Sequence, residues 1–342
     1  MTDSARDEAT LVNELLRLVN GSWVAQACYV IARLGIPDLL ASGPRSAADL
    51  AAATNTNAAA LHRLLNGLGS VGICRLRDDG TFEITSLGEL LRKDVPSSMR
   101  AWTLHWGGES WPVWANLLHS VRTGQSARSL ITGTPGFAHL DRDPQAAAIF
   151  NQAMADLTRL TAIEVARVYD FSQKRIVDVG GGYGELLAQI LIAYPTARGV
   201  LFDMAHAIEK ARDAFATRGL DDRCEFAYGD FFESVPAGAD IYVLKSVIHD
   251  WPDERARVIL QTCRRAMHPR ARLLVIERLM PEKLEPGPEA EALARSDLHM
   301  LVALGAQERT HAEMDALLDS AGLKPLRTLD TASGFQIVEA GT

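Results

Sequence analysis

The chain has 342 residues, 47% of them apolar, and a formal net charge of −8 at pH 7. That length allows two domains with cores of their own, the acidic balance disfavours nucleic acid or an anionic membrane as the main partner, and no apolar run reaches the roughly 18 uncharged residues of a membrane span. The polar, acidic start does not read as a signal peptide, and the four cysteines (Cys28, Cys74, Cys224, Cys263) form no C-x-x-C pair, as expected of buried thiols in a reducing cytoplasm.

Residues 8–34 read as two amphipathic helices interrupted at Gly21-Ser22, with Leu11, Leu15, Leu18 and Val19 on one face. Gly35-Ile36-Pro37 ends the second. An apolar terminal helix is either core or a dimer surface, and the sequence leaves both open. Residues 45–94 read as a helix-turn-helix with a wing. Ser46 caps a helix to Ala53, Ala58–Ser70 form the next, and Ile73–Leu76 pairs with Phe82–Ile84 around Asp78-Asp79-Gly80. Charge decides against DNA. Over Ser46–Asp94, five basic residues face six acids, and the would-be recognition helix offers only His62 and Arg63.

Residues 95–170 link the halves and hold four of the six tryptophans: Trp102, Trp106, Trp111 and Trp114. Trp102 and Trp106 share a helical face by their spacing. Any one ring reads as core packing, but the cluster lies between two domains, where ligand sites form. It points to a pocket for an aromatic ligand, with Phe150 and Met154 nearby.

From Arg175 the pattern alternates: a strand to Val179, a helix Tyr183–Tyr194, a strand Gly199–Phe202, a helix Ala205–Arg218, then strands Cys224–Tyr228 and Asp240–Leu244. A helix Pro252–Met267, a strand Arg272–Ile276, helices Glu289–Ala303 and Thr310–Ala321, and strands Pro325–Leu329 and Gly334–Val338 complete it. Alternation of this kind means a mostly parallel sheet covered on both faces, with ligand groups at the carboxyl ends of the strands. The turn after the first of these strands, Gly180 to Gly184, has G-x-G-x-G, with Glu185 where a dinucleotide fingerprint would have its third glycine. A pyrophosphate disfavours a carboxylate at that position, so the turn suits a nucleoside carrying an amino acid, S-adenosylmethionine.

Asp203, twenty-one residues past Gly182, ends the next strand and is placed either for a ribose diol or as a helix cap. Asp230 and Phe231 follow the third strand, suited to an adenine amino group and ring face. His249 lies past the fourth strand, before a helix opened by Pro252, where side chains face the cleft. Lys245 either reaches the cofactor or is solvated, and Asp250 reads as scaffolding or as a modulator of the histidine.

IVDVGGGYG, VLFDMAH, GDFF, KSVIHDWPDE, VIERLMPE and DLHMLVALGAQERT, in that order and spacing, resemble the plant-type small-molecule O-methyltransferases (caffeic acid and hydroxyindole enzymes), in their bacterial natural-product branch. The resemblance covers essentially the whole chain. It implies an α/β fold: a C-terminal Rossmann-like class I methyltransferase domain (171–342) with a mostly parallel seven-stranded sheet, a mainly α-helical winged-helix dimerisation domain (1–100), and a helical linker (101–170) contributing to the substrate pocket. It also implies a homodimer acting on a small aromatic molecule. His249 carries over as general base with Glu277 and Glu308 beside it. The S-adenosylmethionine set is Gly180, Gly182, Asp203, Met204, Asp230, Phe231, Lys245 and Thr158, and the acceptor set is Trp102, Trp106, Phe150, Met154, Asp297 and Met300. The sequence departs from the family at Met204-Ala205, where Leu-Pro is more usual, and at Ala306, where glycine is frequent.

The implied chemistry is in-line attack of a phenolic oxygen on a sulfonium methyl. A phenol of pKa about 10 against a histidine near 6.5 leaves the proton transfer uphill by about 5 kcal/mol, which a carboxylate on the far ring nitrogen would offset. Either Glu277 or Glu308 can supply it. No metal is expected, because Asp221-Asp222 and the acids of 282–291 read as solvated surface. Methylation of nitrogen or carbon on the same fold, a winged-helix regulator and a nicotinamide oxidoreductase are the competing readings.

Overall fold

The computed structural model describes residues 7–134 and 136–342 and divides into two units, Met1–Trp111 and Pro112–Thr342. The segment 101–170, expected as one linker, is thus shared between them. In the first unit, α1 (Glu8–Asn20) starts where the Asp7 carboxylate accepts the Thr10 N–H, and α2 (Ser22–Leu34) ends at Gly35 in the left-handed conformation. After β1 (Arg45–Ser46) come α3 (Ala47–Thr54), capped by Ser46, and α4 (Ala58–Ser70), capped by Asn57. Strands β2 (Cys74–Leu76) and β3 (Thr81–Ile84) form the expected wing, and the two-residue β1, which the sequence reading missed, completes a sheet of order β1-β3-β2. Leu50, Leu61, Leu65, Leu68 and Phe82 fill its core. A further surprise is a π-helical turn at His105–Glu109. There Gly107 lies against Tyr29, so closely that a Cβ would stand 2.2 Å from that side chain.

In the second unit, two short helical segments, Leu117–Thr123 and Arg128–Thr132, precede a 25-residue helix, α5 (Pro144–Val168), capped by Asp143. Then follow β4 (Arg175–Val179), α6 (Glu185–Ala193), β5 (Arg198–Asp203), α7 (Ala205–Thr217), β6 (Cys224–Tyr228) and β7 (Ile241–Lys245). The chain continues through α8 (Asp253–Ala266), β8 (Arg272–Glu277), α9 (Pro288–Leu304), α10 (His311–Ser320), β9 (Lys324–Asp330) and β10 (Gln336–Gly341). The seven strands lie in the order β6-β5-β4-β7-β8-β10-β9. Only β10 runs against its neighbours, β8 and β9. Alternate residues of the same strands enter opposite cores: Val177, Val179, Tyr242 and Leu244 on one face, Ile176, Ile241 and Val243 on the other. Burial on both faces is why these strands read as unbroken apolar runs. Strand order reverses on either side of β4, which puts the ligand crevice at the carboxyl ends of β4, β5 and β7. All four cysteines are free thiols, and no helix among the described residues is long and apolar enough to cross a membrane.

Candidate active site

The turn after β4 brings Gly180, Gly182 and Gly184 to φ of +72°, +58° and +76°, a region that side chains with a Cβ rarely adopt. Gly184 therefore delays the helix to Glu185, two residues later than its periodicity suggested. The Gly180 N–H donates to the Phe202 carbonyl (2.8 Å), tying the turn to β5. A Cβ on Gly180 would sit 3.0 Å from Val247 and 3.6 Å from the Phe231 ring, whereas one on Gly182 would project into open space. Asp203, at the end of β5, accepts the Gly182 N–H on Oδ2 (2.7 Å) and the Met204 N–H on Oδ1 (2.6 Å). Burial raises its pKa, and those two N–H donors work against the rise. Exposed Met204 is the N-cap of α7 without a side-chain cap bond. Asp230 follows β6 and accepts the Phe232 N–H (2.8 Å).

Glu185 needs correction. Its carboxylate does not stand bare at the turn: it is buried, 2.7 Å from Arg218 and 3.4 Å from Arg159. Simple repulsion of a pyrophosphate is therefore not the role its contacts show.

At the end of β7, Ser246 adopts φ +53° and turns the chain into a single 3₁₀ turn, Ile248–Asp250. Glu277, the last residue of β8, lies under this turn. Its Oε1 accepts the N–H groups of Val247 (3.1 Å), Ile248 (3.0 Å) and His249 (3.3 Å). Its Oε2, buried and without a hydrogen bond among the described residues, stands 3.5 Å from His249 Nδ1. Glu308 makes the direct contact, with its two oxygens 2.9 and 3.1 Å from Nδ1. Since an ionised carboxylate only accepts, Nδ1 carries the proton, and Nε2 is the nitrogen left to exchange one. Nε2 has Asp250 Oδ1 at 3.5 Å. Burial disfavours the imidazolium, but Glu277, Glu308 and Asp250 overcome it and push His249 up to about 10. Burial also raises Glu277, against the imidazole's opposing effect. Burial works against the charge of Glu308 too, but His249 and Ser296 hold that group below the usual carboxylate range.

Two residues of α9 hold Glu308 in turn. The Ser296 hydroxyl donates to Oε1 (2.6 Å), and Asp297 Oδ1 accepts the Glu308 N–H (3.0 Å). Asp297, expected to face the acceptor, thus supports the backbone of a residue that holds the imidazole. Met300 is buried one turn further along α9.

Phe150, Met154 and Thr158 recur every fourth residue on α5 and so share a face. Lys245 Nζ donates to Thr158 Oγ1 (3.1 Å) and lies 4.9 Å from the Phe335 ring centroid. Burial pushes this ammonium down to about 8. Phe150 meets Phe137 at 5.4 Å, Phe137 meets Trp251 at 6.2 Å, and Trp251 meets Phe231 at 6.1 Å, a row of rings from α5 to the histidine turn. Trp102 and Trp106 belong to the first unit, where their rings pack edge to face at 5.5 Å.

Residues 114–324 match the O-methyltransferase domain, and residues 16–94 match the O-methyltransferase dimerisation domain. The chain belongs to the O-methyltransferase family. This methyltransferase is 44% identical to the phenazine O-methyltransferase PhzM of Lysobacter antibioticus, over 99% of both chains. It is 41% identical to the mitomycin biosynthesis 6-O-methyltransferase of Streptomyces lavendulae, over 96% of this chain and 93% of that one. The crystal structure of LaPhzM superposes with a TM-score of 0.93 at 43% identity, covering 97% of this chain and 99% of that one. Both oxygen- and nitrogen-methylating enzymes stand among the relatives of this methyltransferase.

Asp178 and Ser296 escaped the sequence reading of this methyltransferase. Asp178 is buried in β4, its Oδ2 without a hydrogen bond among the described residues, and burial together with the charge of Asp203 pushes it up to about 7. The signal was an acid inside an apolar strand. Ser296 carried no local signal at all. His249, Glu277 and Glu308 offer ligand atoms within 4.8 Å of one another, a spacing that could hold a cation. Glu277 Oε1 is already taken by three N–H donors, and Glu308 by His249 and Ser296.

Proposed function

We propose that this methyltransferase transfers a methyl group from S-adenosylmethionine to a hydroxyl of a small aromatic acceptor, with His249 Nε2 removing the hydroxyl proton. The observation that carries the reading is an imidazole held through Nδ1 by Glu308, over a turn seated on Glu277. The cofactor fits the residues present. Gly182 leaves open space where a Cβ would project, and each oxygen of Asp203 accepts one backbone N–H, leaving a lone pair for a ribose hydroxyl. Asp230, Phe231, Met204, Lys245 and Thr158 are the further candidates to hold it, and Asp178 Oδ2 offers an acceptor still in need of a donor. When bound, S-adenosylmethionine supplies an electrophilic methyl on a sulfonium.

The protein supplies base strength and orientation. With His249 near 10, proton transfer from a phenol of pKa about 10 is close to thermoneutral, where an unperturbed imidazole would face about 5 kcal/mol. The cost is scarcity, since at pH 7 roughly one molecule in a thousand holds the neutral ring. The acceptor-dependent kcat/KM is therefore expected to climb with pH through neutrality into the alkaline range. Glu308→Gln removes a negative charge from Nδ1, so the imidazole's pKa falls, the rising limb moves to lower pH, and kcat drops. A pH–rate profile with the same limb in both proteins would count against the assignment.

The reading is tested directly by offering a panel of phenols and of aromatic nitrogen heterocycles and following release of S-adenosylhomocysteine. Phenols should turn over, equally with and without a chelator. Turnover of nitrogen acceptors alone would replace the reading by N-methylation.

We also read the protein as a homodimer. None of the residues of α1 is buried, and Leu11, Leu15, Leu18 and Val19 are 42–66% exposed, a contiguous apolar surface of the sort that marks an interface, which runs into the dimerisation domain matched over residues 16–94. Light scattering at micromolar concentration should give twice the chain mass, and Leu15→Glu combined with Leu18→Glu should give the monomer.

A further inference from the structure

Arg309, next to Glu308, is 2% exposed and heads the fully buried side chains by volume among the described residues. A guanidinium is costly to bury unless its donors are taken. Here Nη1 donates to the Ile248 carbonyl (3.0 Å), Nη2 to the Trp251 carbonyl (2.8 Å) and to Asp253 Oδ1 (2.8 Å), and Nε to Asp253 Oδ1 (3.0 Å). The two carbonyls bracket His249-Asp250. The Arg309 carbonyl accepts the Met280 N–H (2.8 Å), joining the same residue to the chain leaving β8. A lone 3₁₀ turn has little stability of its own. This one has a carboxylate, Glu277, on its N–H end and a guanidinium on its carbonyl end, the arrangement its dipole favours.

We propose that Arg309 is the positioning residue for His249, clasping the carbonyl end of the turn so that the imidazole stays in register with Glu308. Through adjacent residues, one dipeptide then holds both the ring and the backbone that carries it. The ring faces Glu277 from β8, Glu308 from the segment after α9 and Asp250 from its own turn, while Lys245 on β7 acts on Glu277 and Asp250. Arg309 bonds the carbonyls of the turn and Asp253 rather than the ring, so the role assigned to it is one of position. The catalytic consequence rests on His249 being the base; the positional claim does not.

The test uses the full-length Arg309→Met, Arg309→Lys and Asp253→Asn proteins. The His249 titration is followed by NMR of labelled histidine, with kcat and the dissociation constant for S-adenosylhomocysteine measured alongside. Arg309→Met should lose about ten- to a hundredfold in kcat and move the His249 midpoint down as the ring drifts from its carboxylates, with product affinity within about twofold. Arg309→Lys, lacking the planar fork, should fall between, and Asp253→Asn should shift less in the same direction. An unmoved His249 titration in folded Arg309→Met, or loss of product binding in step with kcat, overturns the proposal. Should Arg309→Met not fold, unmoved titrations in both other variants overturn it. If His249 variants keep full turnover while Arg309→Met still moves the ring's titration, the positional role stands and only the general-base reading falls.

Discussion

Replacing His249 by alanine is expected to lower kcat by about 10²–10⁴-fold while leaving the affinity for S-adenosylhomocysteine near that of the parent. The split follows from the geometry. The imidazole contacts Glu308, Glu277 and Asp250, whereas the candidate cofactor residues Asp203, Asp230 and Lys245 make their contacts elsewhere. Alanine also strands two buried carboxylates beside each other. Removing one partner from such a set costs about 3–5 kcal/mol, although protonation of Glu277, whose pKa is already raised, softens the loss. His249→Gln is therefore the better paired variant, because its amide N–H can still donate to Glu308 but cannot take a proton from the acceptor. Both variants should fail alike. If either kept more than about a tenth of the parent rate on the native acceptor, outside the range expected for loss of a general base, His249 would leave the mechanism.

Asp203→Ala should instead act on binding, weakening the cofactor by about a hundredfold or more. The carboxylate is argued to do two things at once. It accepts the N–H groups of Gly182 and Met204, fixing the glycine turn, and it keeps lone pairs for a ribose diol. Hydrogen bonds to a charged group contribute about 1.5–3 kcal/mol each, so losing two exceeds a hundredfold in affinity. Asp203→Asn retains one acceptor oxygen and should lie between. Calorimetric titration with S-adenosylhomocysteine separates the outcomes. An alanine variant that binds as tightly as the parent would refute the ribose assignment, and one that loses kcat alone would move Asp203 to the chemistry.

Much of this protein was legible locally. α4 was placed at Ala58–Ser70 to the residue, because apolar positions at helical spacing between a polar cap and a glycine-containing end specify a helix without help from the rest of the chain. β4, the glycine turn and Asp203 were readable for a similar reason, since an apolar run, a bend that needs glycine and an acid at the next strand's end are each written in a few consecutive residues. The 25-residue α5 was not resolved as one element, because its apolar stripe is weak and its burial is set by what packs on it.

The pairings within the site were beyond reach of the sequence. Nothing local says that Glu308, fifty-nine residues from His249, takes Nδ1, that Glu277 serves the backbone of the turn, that Asp297 accepts the Glu308 N–H, or that Glu185 is neutralised by Arg159 and Arg218. These are contacts between side chains at the ends of different elements, and they come into being only when the strand order β5-β4-β7-β8 sets those ends side by side. The amino-acid sequence by itself determined the family, most of the elements after Arg175 and the residue types that chemistry needs. Only the tertiary structure decided which carboxylate meets which donor, because a charge-assisted hydrogen bond depends on tenths of an ångström, and distances of that kind are properties of the packed chain.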